Sequence, residues 1–227
     1  MDDIPPRSYG LLIETTLRII TWNVWGLYGP WREREAAIVA TLRDARPDIV
    51  VLTESWAKGG DSQCARLAGP LGLPHQTFSG VTAEEDEAAL SGVAVMSRWP
   101  VQRESSLAFG GARVQFAELS GPRGLIQVYG LVMDAWWFDE SQARQDGLSF
   151  YDAWEVAGPP IPGHTWSNSN PWATQLLWPN RRIDYIFSAT PRPGGAGHAL
   201  HTALLGTHPV NSTYPSDHYA LQSSLRY

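Results

Sequence analysis

The sequence predicts an α/β protein, and three observations support that class. A strand, a helix and a second strand follow one another between residues 17 and 54. Segments of strand-like composition, two of them joined by the turn signal GPRG, occupy residues 92–132. A last amphipathic strand runs from Tyr219 to Leu225, directly after Asp217 and His218. Alternation of strand and helix favours a buried parallel pair, whereas strands joined by tight turns favour antiparallel pairing.

The opening segment is predicted to be a β-α-β unit. The run LRIITWNV, which begins at Leu17, is apolar and β-branched, as in a strand. The next segment, WREREAAIVATLRDARP, carries apolar residues at helical spacing between Trp31 and Ala45, and Pro47 ends that helix. DIVVLTE follows as a short, fully apolar strand, which is typical of a sheet covered on both faces. A second helix is predicted around Cys64, in SQCARLAGPLG.

The middle of the chain is predicted to be an antiparallel meander. Its strands are GVAVMS, GARVQFAEL and GLIQVYGLV, and the acidic stretch AEEDEAAL before them is predicted to be a solvated loop. After Val132 the pattern weakens, and only ESQARQ, with Asp139 as its N-cap, indicates a short helix. Regular alternation returns in RRIDYIFSA, where a strand would place Asp184 on the face opposite Ile183 and Tyr185.

Composition bounds the number of domains and the class of protein. The 227 residues, 43% hydrophobic and 18% charged, suffice for one core, and no shift in composition divides them. Residues 1–16 are predicted to be an N-terminal extension and residues 17–227 to be a single domain. The acidic, proline-bearing start has no apolar leader core, and no apolar run approaches the ~20 residues of a membrane span. We therefore expect a soluble, cytoplasmic protein without a transmembrane segment.

Charge and cysteine content exclude two further classes. The formal net charge of -6 argues against a protein that grips nucleic acid through a basic surface, because such binding depends on Lys and Arg that neutralise phosphates. A phosphate substrate would need a metal ion to offset that charge. Cys64 is the single cysteine, so no disulfide can form within the chain, and no Cys or His lies at metal-site spacing from it.

Chemistry-bearing residues occur at four places, each within a predicted strand or at its end. They are Asn23 in TWNV, Glu54 in LTES, Asp184 in RRIDYIF, and the pair Asp217 and His218 in PSDH. Each one alone also fits a local role, such as a strand-end cap, the partner of a neighbouring arginine or a turn into the last strand. Together, and in this order along a β-α-β opening and an antiparallel middle, they indicate one site.

The stretches that carry these residues resemble the endonuclease/exonuclease/phosphatase superfamily, whose fold is the DNase I-like fold. The matching stretches are IITWNVWG, DIVVLTE, GVAVMSRWP, HTWSNSNPWA followed by NRRIDYIF, and PSDHYAL, and they span most of the chain from Leu17. The resemblance implies an α/β sandwich in which two β-sheets pack face to face with helices outside. It also implies hydrolysis of a phosphoester bond with a divalent metal ion, Mg²⁺ or Mn²⁺.

The resemblance also implies roles for the five residues. Glu54 would be the metal-binding carboxylate, and Asp217 would lie beside the metal. Asn23 would hydrogen-bond the phosphate or hold the site carboxylates. His218 would face the scissile phosphate and stabilise its developing charge, oriented and kept protonated by Asp184. Mg²⁺ prefers one or two carboxylates and retains several waters, so a site with few fixed oxygens should bind it weakly.

The sequence departs from the family pattern in its second half. Met133 stands where family members carry a histidine, and the Gly-Asp-Phe-Asn motif, whose Asp activates the attacking water, is absent. A strand and a helix are therefore predicted to be missing between Gln145 and Asp146. We expect the segment from Met133 to Val156 to be irregular, with Trp136, Trp137 and Trp154 partly covering the exposed sheet face.

Two functions follow from the match and the departure. The first is a divalent-metal-dependent phosphoesterase, acting on a phosphodiester or a phosphomonoester, with weakened activity because loss of a positioned general base costs about 10²- to 10⁴-fold in rate. The alternative is a catalytically silent relative that acts as a binding module, or a shortened, non-functional product. The substrate class stays open among nucleic acid, phospholipid and inositol phosphate.

Overall fold

The computed structural model describes residues 15–84, 86–109, 112–132, 150–176, 178–189 and 194–227. The strands are β1 (Thr16–Asn23), β2 (Ile49–Lys58), β3 (Asp61–Ser62), β4 (His75–Thr82), β5 (Ala89–Ser97), β6 (Val101–Phe109), β7 (Ala112–Gly121), β8 (Gly124–Val132), β9 (Phe150–Asp152), β10 (Phe187–Ala189), β11 (Ala199–Leu205) and β12 (Ala220–Arg226). The helices are α1 (Trp31–Ala45), α2 (Gln63–Leu71) and α3 (Ala153–Ala157), with a 3-10 helix at Ala173–Leu176. None of the helices in these ranges is long and apolar enough to cross a membrane.

The main sheet contains the strands that carry the candidate site. Its order is β11-β12-β1-β2-β5-β4, and the short β3 pairs with β2. β1 and β2 are parallel, with Ile19 opposite Ile49, as the β-α-β pattern predicts. β12 pairs antiparallel with β1 on its other side, with Thr16 opposite Arg226. The carboxyl end of β1 therefore lies beside the segment that leads into β12.

A second layer packs on one face of the main sheet and consists of two separate small sheets. One sheet has the order β6-β7-β8, and the other pairs β10 with β9. Within the described ranges no strand joins β8 to the two-stranded sheet. The α/β sandwich that the sequence predicts is therefore present. The position between Gln145 and Asp146, where a strand and a helix were predicted to be missing, lies outside the described residues.

Each face of the main sheet buries its own hydrophobic core, because successive side chains of a strand point to opposite faces. In β2, Val51 packs toward the second layer together with Ala117 and Trp154. Its neighbour Leu52 packs toward the helices with Ile38 of α1 and Leu67 of α2. The run DIVVLTE is apolar throughout because both faces of β2 are covered.

The middle strands differ from the predicted meander. The segment GVAVMS belongs to β5, which pairs with β2 and β4 in the main sheet, and β6 intervenes before β7. β4, β6 and β11 were not predicted, because their polar interruptions conceal the alternation. The loop prediction for AEEDEAAL is wrong at its end, since β5 begins at Ala89.

The segment around Asp184 also departs from its predicted form. Only Phe187–Ala189 is a strand, although the pattern predicted one from Arg181 onward. The backbone N–H groups of Ile183 and Asp184 both donate to the Thr165 hydroxyl, so they are withdrawn from any strand ladder. Residues 133–149, which include Trp136, Trp137 and the ESQARQ segment, lie outside the described residues. β9 and α3 are regular, so the prediction of an irregular segment up to Val156 is wrong there.

Candidate active site

The first half of the candidate site lies at the carboxyl ends of the parallel strands β1 and β2. Asn23 is the last residue of β1, and its Nδ2 donates a hydrogen bond of 2.7 Å to Glu54 Oε1. Asn23 Oδ1 accepts from the backbone N–H of Trp25 at 2.9 Å, so both ends of the amide are used. Glu54 has a φ of 53° at a register shift in β2, a left-handed conformation that is uncommon for a residue with a Cβ. This backbone kink turns the carboxylate toward Asn23.

The ionisation of Glu54 is governed by its surroundings. Burial raises the pKa of its carboxyl, the hydrogen bond from Asn23 lowers it, and the charge of Asp217 raises it, with a net increase. A carboxyl group that is buried near a carboxylate is harder to ionise, because burial and the neighbouring negative charge both disfavour its charged form. The amide of Asn23 therefore stabilises the charged form that a metal ligand requires.

The second half of the site precedes β12. Ser216 Oγ lies 2.7 Å from the backbone oxygen of Asn23 and 3.1 Å from Asp217 Oδ1. The Trp22 indole N–H donates to the backbone oxygen of His218 at 3.0 Å. Asn170 Nδ2 donates to the backbone oxygens of Ser216 and Asp217, at 2.7 and 3.1 Å. These contacts fix Asp217 and His218 beside the end of β1.

His218 pairs with Asp184, which comes from a third part of the chain. The distance between His218 Nδ1 and Asp184 Oδ2 is 2.7 Å. Thr165 holds Asp184 in place, because its hydroxyl accepts from the Asp184 backbone N–H and its carbonyl accepts from Tyr219 N. The edge of the Trp166 ring packs against the imidazole at a centroid distance of 5.1 Å. The ring of His218 is thus fixed in position and in orientation.

The pKa of His218 is raised to about 9. Burial alone lowers this pKa, but the charge of Asp184 and its hydrogen bond outweigh burial, and the charges of Asp217 and Glu54 act in the same direction. His218 is therefore a cation at neutral pH. Asp184 binds Nδ1, so Nε2 is the second ring donor.

The two carboxylates of the candidate site suit a divalent metal ion that has few protein ligands and several waters. Burial raises the pKa of Asp217, while the charges of His218 and Arg34 lower it. In the described part of the chain, no group of three or more His, Cys, Asp or Glu side chains is arranged to hold a metal ion. Glu54 is partly buried and Asp217 is buried, and a cation would relieve the mutual repulsion of their carboxylates. Mg²⁺ is typically held by one or two carboxylates with waters.

Asp152, a described acid of the second half of the chain, is engaged away from the candidate site and does not replace the missing general base. Asp152 accepts from the Trp154 backbone N–H at 2.9 Å, and its other oxygen contacts the Arg182 guanidinium. This carboxylate stabilises α3 and the two-stranded sheet rather than the candidate site. Asp134, Asp139 and Glu140, together with Met133, lie outside the described residues.

Three residues that support the site were not identified from the sequence. Asn170 and Thr165 lie in HTWSNSNPWA, and they act by binding backbone groups, which leaves no distinctive spacing. Arg34 is buried on α1 and also binds backbone oxygens. The sequence indicates a buried role for Arg34 by one feature: this charged residue lies one helical turn before Ile38, on the face of α1 that packs against the sheet.

Comparison with known proteins relates the first half of the chain to a family. A sequence model of the endonuclease/exonuclease/phosphatase family matches residues 20–129. No curated protein matches the chain.

Solved structures of the same fold cover nearly the whole chain. The endonuclease/exonuclease/phosphatase from Beutenbergia cavernae DSM 12333 is 23% identical, with a TM-score of 0.70 over 93% of this chain and 71% of that one. D. rerio TDP2, solved in complex with a single strand DNA product, is 16% identical, with a TM-score of 0.73 over 94% of this chain and 100% of that one. A family protein from Leptotrichia buccalis C-1013-b is 14% identical, with a TM-score of 0.68 over 93% of this chain and 100% of that one. The chain has the DNase I-like fold of these structures, and its residues 20–129 match the sequence model of the endonuclease/exonuclease/phosphatase family.

Proposed function

We propose that the domain formed by residues 17–227 is a divalent-metal-dependent phosphoesterase with weak activity. The observation that carries the proposal is the meeting of two hydrogen-bonded pairs, Asn23 with Glu54 and Asp184 with His218, at the end of β1. Four separate segments of the chain supply these residues. The family is one of phosphoesterases, which supports the reaction class.

His218 would supply the positive charge that the reaction needs. Its imidazolium would direct Nε2 toward a phosphate oxygen, where a fixed donor stabilises the charge that develops in the transition state. Asp184 would keep the ring charged and oriented. Asn23 would hold the Glu54 carboxylate, because its Nδ2 is bonded to Glu54 and its Oδ1 to the chain at Trp25.

Glu54 and Asp217 would hold the metal ion, Mg²⁺ or Mn²⁺. When bound, the ion would supply Lewis-acid polarisation of a phosphoryl oxygen and would offset the negative charge of the protein. With Glu54 and Asp217 as its protein ligands, and with Asp184 engaged by His218, we expect binding in the millimolar range, since Mg²⁺ gives up its waters reluctantly.

A hydrolysis assay tests this function. Bis(4-nitrophenyl) phosphate, 4-nitrophenyl phosphate and single-stranded DNA are each incubated with the protein and increasing Mg²⁺ or Mn²⁺. We expect metal-dependent turnover of at least one substrate, and a loss of about 10²-fold or more in His218→Asn and Glu54→Gln, because each removes an electrostatic contact to the reacting groups. His201→Asn and Asp44→Asn, which alter exposed residues far from the site, are the matched controls.

The assay distinguishes the proposal from its alternative. If no substrate class, with a phospholipid and an inositol phosphate added to the panel, shows turnover above that of His218→Asn, the chain is a silent relative that acts as a binding module. Calorimetric titration with Mg²⁺ gives a second readout. Micromolar affinity that survives Glu54→Gln would place the metal elsewhere.

A further inference from the structure

Arg34 is a buried cation, and among the described residues its guanidinium contacts backbone oxygens and the face of an aromatic ring. It lies in the first half of α1 and is 1% exposed. Its guanidinium donates to the carbonyl oxygens of Val24 (2.8 Å), Trp25 (2.9 Å), Gly26 (3.0 Å), Tyr28 (2.7 and 3.1 Å) and Pro215 (3.1 Å). It also lies 4.8 Å from the centre of the Trp25 ring. One side chain thus donates hydrogen bonds to five carbonyl groups from two distant parts of the chain.

The two parts are the segments that carry the halves of the candidate site. Residues 24–28 directly follow Asn23, and Pro215 precedes Ser216, Asp217 and His218. Arg34 Nη1 joins the two directly, because it donates to Val24 and to Pro215. Movement of either segment would break contacts to the same planar group.

The absence of a close acid makes this use of an arginine unusual. No ion pair of Arg34 occurs within the described ranges, although burial of an unpaired charge is costly. Burial lowers its pKa to about 10, while the charges of Asp217 and Glu54 raise it. The side chain therefore stays charged at neutral pH. Its electrostatic interaction with Asp217 and Glu54 acts over a distance longer than that of a direct ion pair.

We propose that Arg34 is a positioning residue, which sets the separation of the Asn23–Glu54 pair from the Asp217–His218 segment by holding the backbone of both. A guanidinium suits this role because its five N–H donors lie in one rigid plane, whereas the ammonium group of lysine has three donors and no fixed plane. The kinetic consequence rests on the proposed phosphoesterase function. The structural consequence does not.

The experiment compares Arg34→Lys and Arg34→Met with wild type, and Arg43→Met, at an exposed arginine of the same helix, is the control. Hydrogen exchange followed by mass spectrometry reports on residues 24–28 and 213–219, whose protected amides include Gly26 and Tyr219. In both variants we expect exchange to rise at least about tenfold in these two segments together, with the strands of the main sheet unchanged. Arg43→Met should match wild type throughout.

Kinetics provide the readout that a general loss of stability would not reproduce. In Arg34→Lys we expect kcat to fall by about 10²-fold, since a displacement near 1 Å at the reacting groups has that effect, while KM changes less than about threefold. Faster exchange in only one of the two segments, or a uniform rise over the whole chain, overturns the proposal. If Arg34→Met does not fold, Arg34→Lys alone decides this test. If wild type shows no metal-dependent turnover, the proposed function fails, and the exchange pattern still decides the role of Arg34.

Discussion

At the scale of single residues, the contact between His218 and Asp184 determines the charge of the candidate site. In Asp184→Asn, burial of the imidazole remains but the largest charge that opposes it is gone, so we expect the pKa of His218 to fall from its value of about 9, although the charges of Asp217 and Glu54 remain. NMR titration of the imidazole carbon-bound protons measures this value. A pKa that stays near 9 would show that Asp184 does not set the charge.

The same pKa makes stability depend on pH. His218 has a folded pKa of about 9, above its ordinary value of 6.5, so its contribution to the free energy of unfolding is complete below pH 6.5. That contribution, at most about 3 kcal/mol for such a shift, is lost as the pH rises from 6.5 to 9. Urea unfolding at several pH values should show this decline in wild type and a flatter profile in His218→Asn. Equal slopes would contradict the assignment.

Residue type decides which site residues could be predicted from the sequence. Asn23, Glu54 and His218 stand at the ends of apolar strands, where a polar residue is conspicuous. Thr165 and Asn170 were missed because each acts through backbone N–H or C=O groups, and such contacts depend on which loops meet. That information lies in the tertiary structure.

At the scale of elements, Gly130 controls how closely the second layer approaches the main sheet. A Cβ on Gly130 would lie 2.7 Å from Val93 Cγ1 and 2.8 Å from Val51 Cγ1, inside normal contact distance. We expect Gly130→Ala to lower the free energy of unfolding by about 1–3 kcal/mol, because β8 must move away from β2 and β5.

A double-mutant cycle separates this steric effect from loss of glycine itself. Val93→Ala removes the nearest methyl group, so Gly130→Ala should cost less in that background than in wild type. Denaturant unfolding of the four proteins gives the coupling free energy. Additive effects would show that the contact between the layers is not the cause.

Elements differed in how well the sequence predicted them. The β1-α1-β2 unit was predicted correctly, because both strands are apolar on two faces and the helix between them is amphipathic. The pairing of β5 was wrong, because β5 is as apolar as the strands of a meander and composition does not identify its neighbours. The strand is shorter than predicted at Asp184, because the backbone N–H groups of Ile183 and Asp184 donate to the Thr165 hydroxyl and not to a neighbouring strand.

At the scale of the whole molecule, the second layer leaves large apolar side chains exposed on its outer face. Leu107, Leu125, Tyr129 and Leu131 are 60%, 56%, 63% and 42% exposed. Leu107 and Leu131 both pair across Val114 of β7, so they lie in one row. Apolar patches beyond a few hundred Å² are rare on stable monomers, so we expect self-association or low solubility.

Sedimentation of wild type and of Leu107→Lys/Leu131→Lys over a range of concentrations tests this expectation. The charged pair should shift the protein toward monomer, because it interrupts the row of exposed side chains. Leu200→Lys, at an exposed position of the opposite edge strand β11, should leave the association unchanged. A wild type that remains monomeric throughout would contradict the expectation.

The pairing of β1 with β12 has a consequence for biosynthesis. β12 leaves the ribosome long after β1, yet Thr16 lies opposite Arg226. Contacts between residues about two hundred positions apart must await the emergence of the later one, and a strand that waits for its partner exposes an unpaired edge. The nascent chain therefore carries Asn23 and Glu54 long before Asp217 and His218 can join them. The two halves of the candidate site therefore come together only after β12 has been synthesised.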